Sequence, residues 1–147
     1  MAHHGRMRNV TVAWQPAAER FEALGGHTLH PIMINAPHGG AATGFSPADL
    51  LLAAAGSCAA WDVVEILRKQ RQQLSALSVS VHGRQGEGPP HEFEDVELVF
   101  EAAGRGLDPR KVERAVALSE TRYCSVLATI RGVARVSCRV EVREAAV

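Results

Sequence analysis

Between Arg8 and Trp14, and again between Thr28 and Ile34, apolar and polar residues alternate with β-branched side chains among them, the period-two pattern of strands. The intervening stretch from Gln15 to Gly26 reads as a polar connection. Asn35 to Gly44, rich in Gly, Pro and His, reads as a loop. The period then changes. Ser46-Pro47-Ala48-Asp49 offers a serine N-cap, a proline at the first helical position and an acid three residues after the cap. The apolar run behind it predicts a helix reaching to about Arg71, with Gly56 as a point where it can kink or break.

Leu77 to Arg84 and Val96 to Ala102 predict two strands joined by the hairpin turn Gln85-Gly86-Glu87-Gly88-Pro89-Pro90. Asp108-Pro109 repeats the cap-then-proline signal. Behind it, Val112, Val116, Ser119 and Tyr123 fall on one side of a second helix, with Ala115 and Leu118 beside them. Cys124 falls where this helix ends or passes into a shorter one. From Val133 to Val142 alternation returns, with Val136, Cys138, Val140 and Val142 facing one way. Strands, long helix, hairpin, helix and strand in that order predict an α+β fold, one domain over residues 1–147, with helices against one face of a sheet.

Composition narrows the function classes. Of 147 residues 46% are apolar, and 16 basic residues balance 16 acidic ones, which excludes intrinsic disorder. Zero net charge gives no long-range attraction to phosphate backbones, and the longest basic cluster is only Arg68-Lys69-Gln70-Arg71, so no nucleic-acid partner is expected. The charge-free run from Leu50 to Trp61 is apolar all round over its first half and shorter than the ~20 residues needed to cross a bilayer. It reads as a helix buried from every side, without membrane association. No secretory signal pattern is found at the N-terminus, His3-His4 being set aside as uninformative, and the expectation is a cytoplasmic protein. Cys58, Cys124 and Cys138 show no CxxC spacing, which fits neither a disulfide framework nor a zinc ribbon; they are expected as free thiols.

Cys58 is the most informative of the three. On a helix it lines up with Asp62, Glu65 and Lys69, while Ala59, Val63, Ile66 and Leu67 point into the core. It thus sits where a buried half passes into a half with a wet face, an address suited to a thiol at the bottom of a crevice. A break at Gly56 would make Ser57 an N-cap and place Cys58 in a first turn, where amide dipoles favour thiolate. The competing reading is a small hydrophobe in an Ala-rich packing surface. Cys124 carries the same two readings, and Cys138 reads as core. His27, His30 and His38 lack a nearby carboxylate or a third ligand at helical spacing, so no metal site is expected, and no nucleophile elbow or phosphate loop supports a cofactor.

The segments Ser46-Pro47-Ala48-Asp49-Leu50-Leu51-Leu52-Ala53-Ala54-Ala55-Gly56-Ser57-Cys58, Asp62-Val63-Val64-Glu65-Ile66-Leu67 and Tyr123-Cys124-Ser125-Val126 resemble the OsmC/Ohr family, in a less characterised OsmC-like branch. The order of elements agrees over nearly the whole chain. The resemblance implies an OsmC-like fold of antiparallel sheets and a long buried central helix, assembled as an intertwined homodimer. It implies thiol-dependent reduction of organic hydroperoxides, with Cys58 attacking the peroxide and Cys124 resolving the sulfenic acid as a disulfide. A thiol or lipoyl-type reductant then restores both. Family peroxidases carry a glutamate ten residues before the first cysteine, paired with an arginine from the N-terminal strands. Here Ala48 stands at that position with Asp49 beside it, and Arg20 is the arginine nearest by position. A non-catalytic, small-molecule-binding or stress-associated dimer is the alternative.

Overall fold

The structure, a computed structural model, describes residues 8–25, 30–35 and 44–145. Three strands, β1 (Val10–Gln15), β2 (Arg20–Gly25) and β3 (Ile32–Ile34), precede the helix α1 (Pro47–Lys69). The hairpin β4 (Gln73–Gln85) and β5 (Phe93–Arg105) follows, then α2 (Pro109–Leu118), a π-helical turn over Ser119–Tyr123, α3 (Ser125–Ile130) and β6 (Arg135–Glu144). The chain forms an α+β fold with two sheets. Its contacts divide it into two compact units, residues 1–50 and 51–147.

In the first unit β1, β2 and β3 pair antiparallel in that order. Here β2 corrects the polar connection expected between Gln15 and Gly26. A short 3-10 turn at Pro16–Ala18 and Glu19 in the left-handed region (φ 47°) reverse the chain, so that Arg20 lies opposite Gln15. Arg-Phe-Glu-Ala-Leu-Gly contains no β-branched residue, and its extended form comes from hydrogen bonding on both sides rather than from propensity.

In the second unit β5 is central, antiparallel to β4 and parallel to β6. The sheet is therefore mixed, whereas antiparallel sheets were expected. The chain leaves β5 through α2, the π-helical turn and α3, and a connection of that length returns it to the starting end, so the next strand runs parallel. Across the inner face Val81, Leu98 and Cys138 stand in one row and Val79, Phe100 and Val140 in the next. On β5 the inward residues Val96, Leu98, Phe100 and Ala102 are at most 1% exposed; full burial of a side chain such as Leu98 or Phe100 contributes about 1.5–3 kcal/mol. On the other face, Arg84 binds both Glu94 and Asp95, and Arg135 donates to Asp95 at 2.6 Å, joining β4, β5 and β6 by charge.

The helix α1 begins as its sequence requires. Ser46 Oγ accepts from the Asp49 amide at 3.1 Å and donates to the Asp49 carboxylate at 2.7 Å, a reciprocal capping box with Pro47 behind the cap. The helix then runs unbroken through Gly56. A Cβ at that residue would lie 2.7 Å from a Val81 methyl, so the glycine lets α1 approach β4 closely instead of breaking the helix. At the far end the Gln72 amide reaches the Leu67 carbonyl and Arg71 takes φ 55°, a Schellman motif with arginine at the left-handed position.

Along α1 the seam Ala55, Ala59, Val63 and Leu67 is fully buried, at 0% exposure, as part of the core of the second unit. Within one chain the helix is not buried from every side. Leu51 is 40% exposed and Trp61 73%, because the sheet and α2 cover only one side. By length and hydropathy alone this 23-residue helix is long and apolar enough to span a membrane. The buried seam and the charges of Asp62 and Glu65 in its second half are those of a helix packed on protein.

Candidate functional site

Cys58 stands in the middle of α1, half-buried, one residue before the buried Ala59. Since the helix continues through Gly56, no free N-terminal amides face the thiol. Ser57, whose hydroxyl donates to the Ala53 carbonyl at 2.7 Å, is an ordinary helical serine and not a cap. The helix supplies position and shelter to Cys58.

Cys124 arrives by a different route. After α2 the backbone widens into the π-helical turn, closed by the Cys124 amide donating to the Ser119 carbonyl at 2.9 Å. Cys124 then serves as N-cap of α3, its sulfur accepting the Leu127 amide at 3.4 Å. Its side chain is 2% exposed. The turn brings it into the same core that Cys58 packs against, and neither cysteine is in a disulfide.

Their surroundings differ. Burial pushes the Cys124 thiol up to about 11 from an ordinary 9.0, opposed by the Leu127 amide and reinforced by Cys58 beside it. It is a protonated thiol at neutral pH. Cys138, on β6, is half-buried at the edge of the same core, as its alternation pattern implied. Burial, and then the negative charge of Glu120, push it up to about 12. Glu120 is in turn held by Arg131, whose guanidinium donates to the Glu120 carbonyl at 2.5 Å.

The remaining expected site residues have partners of their own. The Asp49 carboxylate completes the Ser46 cap, and Arg20 on β2 forms an ion pair with Glu22 at 2.8 Å. Of the histidines, His27 and His38 lie outside the described residues, and His30 is exposed. Among the described residues no group of three or more His, Cys, Asp or Glu side chains is placed to hold a metal ion.

Ser119 has no counterpart among the expected site residues. It is the buried polar residue among the described ones, at 0% exposure. Its hydroxyl donates to Asp62 Oδ2 at 2.9 Å and lies 3.3 Å from the Ala59 carbonyl. The sequence placed it on one side of the second helix together with Val112, Val116 and Tyr123; Val112, Val116 and Ser119 are buried, whereas Tyr123, carried round by the π-helical turn that Ser119 begins, is 52% exposed. Beyond the thiols a cavity of about 480 Å³ opens along α1, lined by Asp62, Glu65, Ile66, Lys69, Gln70, Leu118 and Tyr123.

The profile of the OsmC-like protein family matches residues 39–139, a span that holds both Cys58 and Cys124. The chain belongs to the OsmC-like family. Protein YhfA of Escherichia coli K12 is 40% identical to it over 97 residues, 66% of this chain and 71% of the relative. Among solved structures, a hypothetical protein from Aquifex aeolicus VF5 superposes with a TM-score of 0.84 at 27% identity, covering 97% of this chain and 100% of the other. The organic hydroperoxide resistance protein OhrB of Bacillus subtilis shares the fold at a TM-score of 0.64 and 19% identity, over 92% of this chain and 98% of its own. The OsmC-like assignment thus agrees with the resemblance carried by the helix and turn segments.

Proposed function

We propose that the protein reduces organic hydroperoxides by a two-cysteine cycle, in redox or stress defence. The observation that carries this reading is that Cys58 on α1 and Cys124 at the end of the π-helical turn pack in one core, although they lie 66 positions apart in the chain. Membership of the OsmC-like family and the shared fold of OhrB support it.

The order of events follows from exposure and ionisation. Cys58 is the more accessible sulfur; Cys124 is 2% exposed and protonated. The Cys58 thiolate attacks the terminal peroxide oxygen and the O–O bond breaks; the hydroxyl stays on sulfur as Cys58 sulfenic acid, and the departing alkoxide takes up, through solvent, the proton that the Cys58 thiol released, leaving as an alcohol. Cys124 sulfur then attacks Cys58 sulfur; its proton leaves with the hydroxyl as water, and a disulfide remains. A dithiol, lipoyl-type in character, is oxidised to its own disulfide and returns both cysteines to thiols. Apolar residues around the sulfurs favour alkyl hydroperoxides over small polar ones. In this reading Asp49 fixes the start of the helix that carries Cys58, and Arg20 is engaged by Glu22.

The working form is a cytoplasmic homodimer. The apolar side of α1 that this chain leaves open, with Leu51, Ala53 and Trp61, supports a second copy as its cover.

Reduced protein mixed with one equivalent of an alkyl hydroperoxide, followed by alkylation and peptide mass spectrometry, tests the cycle. A Cys58–Cys124 disulfide peptide is expected. Both thiols remaining reduced would overturn the reading and leave a non-catalytic OsmC-like dimer.

A further inference from the structure

Two elements far apart in the chain carry the two sulfurs, and a single residue binds both elements. Ser119 donates its hydroxyl proton to Asp62 Oδ2 at 2.9 Å, one turn beyond Cys58, and the same oxygen lies 3.3 Å from the carbonyl of Ala59, the residue after Cys58. Through its own carbonyl it accepts the amide of Cys124 at 2.9 Å. One residue therefore grips α1 beside the first sulfur with its side chain and the second sulfur's backbone with its main chain.

Elsewhere the core surrounding it is apolar: Ala59, Val63, Val112, Ala115, Val116 and Leu127 are at most 3% exposed. Packing alone would favour alanine here, since a buried hydroxyl is costly unless bonded. The bond it makes is to a carboxylate, the stronger class of hydrogen bond. Its effect on geometry is specific. Released from Asp62, the π-helical turn keeps its apolar contacts but loses the polar tie that holds its position along α1, and that position sets the separation of the sulfurs.

We propose that Ser119, with Asp62 as its acceptor, is a positioning residue for the Cys58–Cys124 exchange. It sets how readily the disulfide closes, without touching peroxide or reductant. The proposal rests on the two-cysteine cycle for its biological meaning, and its test does not.

The full-length protein is equilibrated in glutathione buffers, in which the dithiol is oxidised to the Cys58–Cys124 disulfide while one glutathione disulfide is reduced to two glutathione thiols. Acid quenching and mass spectrometry then give the effective molarity of the pair. Wild type, Ser119→Ala, Asp62→Ala and the double variant are compared. Ser119→Ala is expected to lower the effective molarity about tenfold, the size of one net hydrogen bond at ~1.4 kcal/mol. Asp62→Ala is expected to lower it comparably, and the double variant no further, because both remove the same bond. A residue important only for folding would destabilise the reduced and oxidised forms alike and leave this ratio unchanged. An unchanged ratio in Ser119→Ala, or additive losses in the double variant, overturns the proposal.

The two claims fail separately. Wild type that closes its disulfide in glutathione but does not react with an alkyl hydroperoxide overturns the peroxidase reading and keeps the positioning role. Hydroperoxide turnover together with an unaltered ratio in Ser119→Ala does the reverse. A pair that never closes in glutathione overturns both.

Discussion

The sulfur of Cys124 accepts the backbone amide of Leu127 at 3.4 Å, so a cysteine occupies a position that helices usually give to serine, threonine, aspartate or asparagine. That relationship makes one substitution unusually informative. Cys124→Ser keeps a capping oxygen where the sulfur was. Its urea midpoint should correspond to wild-type stability within ~0.5 kcal/mol, whereas Cys124→Ala should lose about 1 kcal/mol with the cap. Under one equivalent of hydroperoxide, the serine variant should accumulate Cys58 sulfenic acid, trapped as a dimedone adduct, while wild type passes on to the disulfide. No adduct in the folded serine variant would contradict the assigned order of attack.

Alkali should weaken the fold through the two raised thiols. Cys124 at about 11 and Cys138 at about 12 both ionise near 9.0 once unfolded. Unfolding therefore releases protons above pH ~9, and the stability fully present below that value falls as pH rises through 11 and 12. Urea midpoints measured from pH 8 upward should decline accordingly. Cys138→Val, matching Val136 and Val140 on the same face of β6, should flatten the decline; an equal slope in that variant would contradict the account.

Arg71 pays the steric cost of a left-handed residue at the end of α1, with φ 55°. Glycine adopts that conformation freely. Allowing for glycine's greater freedom in the unfolded chain, Arg71→Gly should stabilise the protein by about 0.5–1 kcal/mol, read as a higher thermal midpoint. A lower midpoint would show that the arginine side chain contributes more than its backbone costs.

Trp61, 73% exposed on α1, is the most exposed large hydrophobic side chain among the described residues. If a second copy covers this side, sedimentation at micromolar concentration gives twice the chain mass, and Trp61→Glu shifts the protein toward the single chain. A wild-type protein that sediments as one chain would remove the homodimer from the proposal.

Where hydrophobic period and cap chemistry agreed, the elements could be read from the residues. The capping box at Ser46 and Asp49, the β4–β5 hairpin, the proline-led α2 and the alternation of β6 are of this kind. Strand β2 was not legible because its pairing, and not its residues, makes it a strand. The parallel run of β6 was hidden because alternation reveals a face and not a direction. At the site, no spacing rule relates Cys58 to Cys124; the family resemblance carried that pair, and the fold packs both in one core. The π-helical turn left no local mark, since Ser-Glu-Thr-Arg-Tyr fits an ordinary helix equally well.

That turn carries its own constraint on how the sequence can change. Each helical residue rotates the chain by about 100°, and five residues, Ser119–Tyr123, take it from the last residue of α2 to Cys124. Side chains in this bend that face water can be exchanged with little consequence. Adding or removing one residue would swing the second sulfur to a different side of the chain, so the count of residues there is held far more tightly than their kinds.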